Sequence, residues 1–198
     1  MSKKKKQLQL ALRKKLLVRF ASAWERGTVN GYVLAVGPQF FLIALVSDGI
    51  RPNGFQCYRF SDIRGLQVPD KYVQFHEAVL KKRGIRFPKR PPVVVSSLVE
   101  LLITANRAFP LVTIHREKVD AGSCWIGRIV DLSKSHVTLL EIGPGAIWDN
   151  QLETYRLSEI TRVDFGGDYE SALQLMGGGQ WQNAVDLIGA PLDRGINK

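Results

Sequence analysis

Two stretches of the chain read almost alike: Gln56–Leu66 is QCYRFSDIRGL and Glu153–Val163 is ETYRLSEITRV. Tyr58, Arg59, Ser61 and Ile63 match Tyr155, Arg156, Ser158 and Ile160, and Tyr72 and Tyr169 extend the match without a gap. Upstream, after one residue is gapped, GYVLAVGPQFFLIALV (31–46) lies over GRIVDLSKSHVTLLEI (127–142). An internal duplication is the simplest source of such a match. A chain of 198 residues then divides into two domains of roughly 80 to 100 residues, each able to bury a small core.

Each copy reads mainly as strands. FFLIALV and VTLLEI are dense or alternating in apolar residues, SDGIRPNG and GPGAIWDN supply turn residues, and FQCYRF and LETYRL are followed almost at once by DIRGLQV and EITRVDF. The connection between those last two strands is too short for a wide loop, so the chain must turn sharply there. Helical segments precede the copies, KKQLQLALRKKLL and SSLVELLITANRA, the second with Ser96 or Ser97 as N-cap and Glu100 placed for a capping box. LVRFASAW and LVTIHRE follow as first strands, although LVRFASAW also allows partial helix. DKYVQFHEAVLKK, DYESALQLM and WQNAVDLI are expected as short helices behind the strands.

The expected fold is therefore mainly β (α+β): two tandem five-stranded, strongly bent antiparallel barrels of Sm-like or SH3-like type. Each is preceded by a helix and followed by short helices. Residues 1–84 form the first, 85–95 a basic, proline-rich linker, and 96–198 the second, because the prolines of GIRFPKRPP cannot join a ladder.

Charge divides the chain. Residues 1–119 hold 22 Lys+Arg against 7 Asp+Glu, whereas residues 120–198 hold 6 against 11. The excess is concentrated in Lys3–Arg19 and in Lys71–Arg90. Such blocks are either solvated ends and linkers or attractors of polyanions. Lysines 3–6 suit phosphate contacts that read no sequence. Lys81, Lys82, Arg83, Arg86, Lys89 and Arg90, with Phe75 and Phe87 interleaved, suit single-stranded nucleic acid.

Within the repeated lines, Arg59 and Arg156 offer planar guanidinium groups that can stack on a base or fork onto a phosphate. The structural alternative pairs each with an acidic neighbour such as Asp62 or Glu159. Tyr58 and Tyr155 are either stacking platforms or core aromatics with a hydroxyl at the rim.

The spacing of these elements resembles the Sm/LSm superfamily, which includes the Hfq-like ring proteins. GRIVDLSKSHVTLL (127–140) lies without gaps on that family's first motif, with Gly127, and Gly31 in the other copy, at the strand glycine. The Asp and Asn used by uridine-reading members are replaced by Ser133 and Val137, and by Gly37 and Phe41. In the second motif, Arg156 and Arg59 fall on the family arginine, but Leu157 and Phe60 replace the glycine after it. YRFSDI and YRLSEI also resemble the arginine-bearing last strand of WYL-type Sm-like domains, without the WYL triplet. The resemblance implies an Sm-like fold, RNA as a partner without uridine-specific readout, and self-association through barrel edge strands.

No catalytic constellation stands out. His76, His115 and His136 lie in different elements and are expected at the surface or rim, with no metal-ligand spacing to the cysteines. DFGGD (164–168) lacks the glycine-rich and catalytic loops of a kinase. GGG (177–179) follows a helix rather than a strand, and so reads as a helix terminus rather than a dinucleotide loop. Cys57 and Cys124 are expected as reduced, mostly buried thiols. The longest apolar stretch, Val93–Ala105, carries Glu100 and is too short to span a bilayer. The expectation is a cytoplasmic, non-enzymatic protein without cofactors or membrane contact. Its partner is single-stranded RNA or another polyanion, or alternatively a protein or small ligand held by a scaffold whose repeats serve assembly.

Overall fold

A computed structural model describes residues 2–24 and 27–180. The expected helix WQNAVDLI (181–188) lies outside these residues. The chain forms two compact units: the first runs to Pro91 and takes in Val95–Ser97, and the second takes Pro92–Val94 and the described chain from Leu98.

The first unit opens with helix α1 (Lys3–Lys14). The Ser2 hydroxyl accepts from the Lys5 amide, and Lys15 ends the helix in the left-handed region at φ 52°. Leu8 and Ala11, one turn apart, are completely buried, while Lys3, Lys6, Arg13 and Lys14 stay in solvent. Five strands follow: β1 (Leu17–Ser22), β2 (Val29–Val36), β3 (Phe40–Val46), β4 (Pro52–Arg59) and β5 (Ile63–Gln67), with helix α2 (Val73–Lys82) last. They pair antiparallel in the order β5-β1-β2-β3-β4. β2 and β3 read as nearly continuous buried runs because each side of the sheet is covered. On one side, Leu8 and Ala11 join Phe20, Phe41 and Tyr58 in a core whose rings meet at centroid distances of 5.1 to 6.0 Å. On the other side, Leu80 of α2 packs with Leu17, Tyr32 and Val46.

The second unit repeats this plan: helix α3 (Leu98–Ala108), strands β6 (Val112–His115), β7 (Cys124–Leu132), β8 (His136–Ile142), β9 (Trp148–Arg156) and β10 (Arg162–Phe165), and helix α4 (Asp168–Gly177). The order is β10-β6-β7-β8-β9. The Asn106 amide of α3 donates to and accepts from the Ile129 backbone, both at 3.0 Å, beside the bulge between Ile129 and Asp131. The Trp148 indole donates to the Gly177 carbonyl at 2.8 Å, which ties α4 to the sheet.

The duplication is written into the ladders. The β2–β3 register shifts between Val33 and Ala35, and the β7–β8 register between Ile129 and Asp131, at matching positions of the two copies. Phe41 faces Tyr58 as Val137 faces Tyr155. The one-residue gap falls in β4 and β9. There Val46 and Ala44 face Pro52 and Phe55, while Ile142 and Leu140 face Trp148 and Leu152. A bulge absorbs one extra residue without disturbing the ladder on either side. The two strand glycines are sterically required: a Cβ on Gly31 would lie 2.7 Å from the Ala44 carbonyl oxygen, and one on Gly127 would collide with the equivalent Leu140 carbonyl.

Three expectations change. The sheets are not closed by hydrogen bonds into barrels: among the described residues no ladder joins β4 to β5 or β9 to β10. Instead one 3-10 turn, Phe60–Asp62 or Leu157–Glu159, carries the chain between those strands. Phe60 and Leu157 are drawn inward, Phe60 stacking on Phe41 at 5.6 Å. Cys124 is exposed at the start of β7, although Cys57 is buried. His115 is buried, for a reason given below. Within LVRFASAW, Leu17–Ser22 forms the expected strand and no part of the stretch is helical. No helix among the described residues is long and apolar enough to cross a membrane.

Candidate nucleic-acid interface

Charge separates with the units: the first carries 19 Lys+Arg against 5 Asp+Glu, the second 9 against 13. Part of the positive charge is organised around a cleft behind β2 and β3. Helix α2 ends at Lys82, and Gly84, at φ +68°, turns the chain back so that the Ile85 amide donates to the Leu80 carbonyl at 2.9 Å. Arg83 fastens this corner by donating to the carbonyls of Gly49 and Ile50, at 2.5 and 2.8 Å. The returning strand of chain lays Phe87 edge-on against Tyr32, with centroids 5.1 Å apart. The Lys15 ammonium stands 5.2 Å from the centroid of the same ring.

Between these elements lies a cavity of about 400 Å³. Its floor is apolar, from Ala44, Val46, Leu80 and Ile85. Its aromatic wall is Tyr32 with Phe87, and its charged groups are Lys15, Lys81, Arg86 and Glu77. Burial, with the Glu77 charge beside it, pushes the Tyr32 hydroxyl up to about 12, so it remains a neutral donor across the physiological range. A second cavity of this unit, about 450 Å³, carries both Arg19 and Asp48, beside the His76–Asp70 pair at 2.8 Å.

Of the residues that the sequence singles out, Lys81 and Arg86 line the aromatic cleft. Lys82, Lys89 and Arg90 are exposed without lining it, and Arg83 is engaged in the corner. Arg59 lies over the Phe40 ring at 4.9 Å, and Arg156 is exposed on β9 opposite His136. Tyr58 is 1% exposed and donates to Gln56 at 2.8 Å. Tyr155 is buried and donates to Glu141; burial first, then that carboxylate, raises its hydroxyl well above the ordinary range. Both tyrosines are thus core side chains.

Glu159 takes its partner from elsewhere in the sequence. Arg116, not Arg156, donates to it through Nε at 3.0 Å, and its guanidinium lies 4.9 Å from the ring centroids of both Trp125 and Tyr155. One residue away in the ladder is a buried ionic cluster. Arg162 Nη2 lies 3.0 Å from both ring nitrogens of His115, its Nε lies 3.2 Å from Asp164, and Nη1 lies 3.7 Å from Glu117. Asp164 also receives His115 Nε2 at 3.0 Å. This holds His115 inside rather than at the rim.

The positions of Tyr32, Glu77 and Lys15 at the cleft are not marked by the repeat. The one signal is a difference: beside the matched glycines, the first copy has Tyr32 where the second has Arg128. Among the described residues no group of three His, Cys, Asp or Glu is arranged to hold a metal.

No family model matches the sequence, and no curated protein matches it. Among solved structures, YcgR from Escherichia coli, in complex with c-di-GMP, aligns at 12% identity over 90% of this chain and 89% of its own, with a TM-score of 0.18, a likeness too low to carry an inference.

Proposed function

We propose that this chain is a tandem Sm-like protein whose basic first unit binds single-stranded RNA mainly through phosphate contacts. The observation that carries the reading is the convergence of Lys15, Lys81 and Arg86 on a cleft walled by Tyr32 and Phe87. Cations beside an aromatic, apolar groove suit a strand whose phosphates are held while a base is stacked. The uneven charge of the chain adds a field that draws a polyanion toward the first unit.

The Sm-like assignment is supported by a helix leading into five antiparallel strands ordered 5-1-2-3-4, with a 3-10 turn between the last two and a glycine in the second. In this reading each open sheet is the strongly bent sheet of one barrel. Ser133, Val137, Gly37 and Phe41 give no uridine-specific readout. Copies of the chain associate through edge strands: β5 pairs only with β1 and β9 only with β8 among the described residues. The β9 edge carries Asp149 and Glu153 against Arg156, a net negative charge, and β5 carries Arg64, so the two edges are of opposite sign. The same reading takes the protein as cytoplasmic and as acting without a catalytic group or a cofactor.

The rival reading, a scaffold for a protein partner, draws on the exposed Leu175 and Met176 of α4, 83% and 73% accessible. Binding of a labelled single-stranded RNA at low and near-physiological salt separates the two. The RNA reading requires affinity that weakens with salt, and the scaffold reading requires none.

A further inference from the structure

A cleft built only to hold phosphate has no use for a carboxylate, yet Glu77 lines this one together with the three cations. Glu77 is exposed on α2 and faces the same space as Lys15, Lys81 and Arg86. Beside it, Tyr32 presents a hydroxyl that stays protonated, and Phe87, 39% accessible, presents part of a ring. The apolar floor beneath excludes a second charged group. An occupant that satisfies all four features is flat and aromatic, offers N–H donors on one edge and carries an anion outside the ring.

We infer that this cleft is a base-selecting subsite that takes one nucleotide of a single strand, with an amino-bearing base, guanine foremost, donating to Glu77. The inference rests on the nucleic-acid reading of the first unit and adds to it which base is preferred. Guanine places two adjacent donors, N1–H and the 2-amino group, against the two oxygens of a carboxylate. Adenine and cytosine offer one amino group each. Uracil has a single N3–H flanked by two carbonyl oxygens, whose lone pairs face the carboxylate. Phosphate, kept outside the apolar floor, lies among Lys15, Lys81 and Arg86, and the base stacks on Phe87. The selectivity therefore runs opposite to uridine readout, which agrees with the side chains at 37, 41, 133 and 137.

The test titrates the intact chain with GMP, AMP, CMP and UMP, followed through backbone amide shifts, and repeats it with Glu77→Gln. Glu77 is exposed on α2, so the variant retains the fold, as circular dichroism will verify. GMP is expected to bind at least about tenfold more tightly than UMP, with shifts centred on Tyr32 and residues 77–87. Because glutamine both accepts and donates, Glu77→Gln is expected to collapse most of that ratio by admitting uracil. Equal affinities for the four nucleotides, shifts centred elsewhere, or an unchanged ratio in Glu77→Gln would overturn the inference. If single-stranded RNA binds with salt dependence while the nucleotides are indistinguishable, the phosphate reading stands and base selection falls. If RNA fails to bind while GMP still ranks first, guanine selection stands only as a free-nucleotide site, and the single-strand part of the inference falls with the RNA reading.

Discussion

Lys15 and Phe87 are joined across 72 residues of sequence by a cation–π contact, with the ammonium 5.2 Å from the ring centroid. The contact ties the end of α1 to the chain that leaves α2 and closes one side of the cleft. At a site this exposed it contributes on the order of 0.5–1 kcal/mol to stability. Phe87→Leu keeps the apolar cover and removes the aromatic face. Urea unfolding is expected to show a loss of about 1 kcal/mol or less, while RNA affinity falls several-fold. RNA affinity equal to that of the unaltered protein would exclude Phe87 as a stacking surface.

The matched glycines predict a matched penalty. Gly127→Ala drives a methyl group into the Leu140 carbonyl, and Gly31→Ala does the same at Ala44, 2.7 Å away. Overpacking of a sheet interior costs roughly 1–3 kcal/mol, and thermal unfolding of the two variants should show losses in that range. A neutral alanine at either place would mean that the strands separate more easily than their ladders suggest.

The buried cluster around Arg162 makes a sharper case. Arg162→Met leaves Glu117 buried without its cation and the half-buried Asp164 with only His115, a change that costs about 3–5 kcal/mol. Arg116→Met also loses a charge partner for Glu159, but that pair is partly in solvent, so the loss should be nearer 1 kcal/mol. Equilibrium denaturation of both variants tests the ordering, and equal effects would contradict it.

Alkaline pH tests the burial of Tyr32. Its folded hydroxyl sits at about 12, above the ordinary tyrosine value of 10.0. Between these values the unfolded chain has lost the phenolic proton and the folded chain retains it, so unfolding releases a proton and stability falls as pH rises. Tyr32→Phe should remove this part of the decline between pH 10 and 12. An unchanged slope would show that another group dominates there.

Much of this architecture is legible in the sequence, and what is not has a physical cause. The duplicated lines locate the strands, since the ladders repeat the same registers and place the single gap at a bulge. Helices α1, α2, α3 and α4 follow from apolar spacing. The cleft does not, because Lys15, Tyr32, Glu77 and Phe87 come from four segments that meet only when α2 packs over β2 and β3. The pairing of Glu159 with Arg116 is equally hidden, since β6 and the 3-10 turn are 43 residues apart. Nor does the repeat reveal the Arg162 cluster, because the first copy has Gly65 at the matching place.

The most direct test is the binding of a labelled single-stranded RNA to the intact chain at about 50 and 200 mM salt. The comparison is with a variant in which Lys15, Lys81 and Arg86 are neutralised. The account predicts affinity that drops steeply with salt, and a variant that binds more weakly with a shallower salt slope. Absence of binding at the lower salt, or a variant indistinguishable from the unaltered protein, would contradict it.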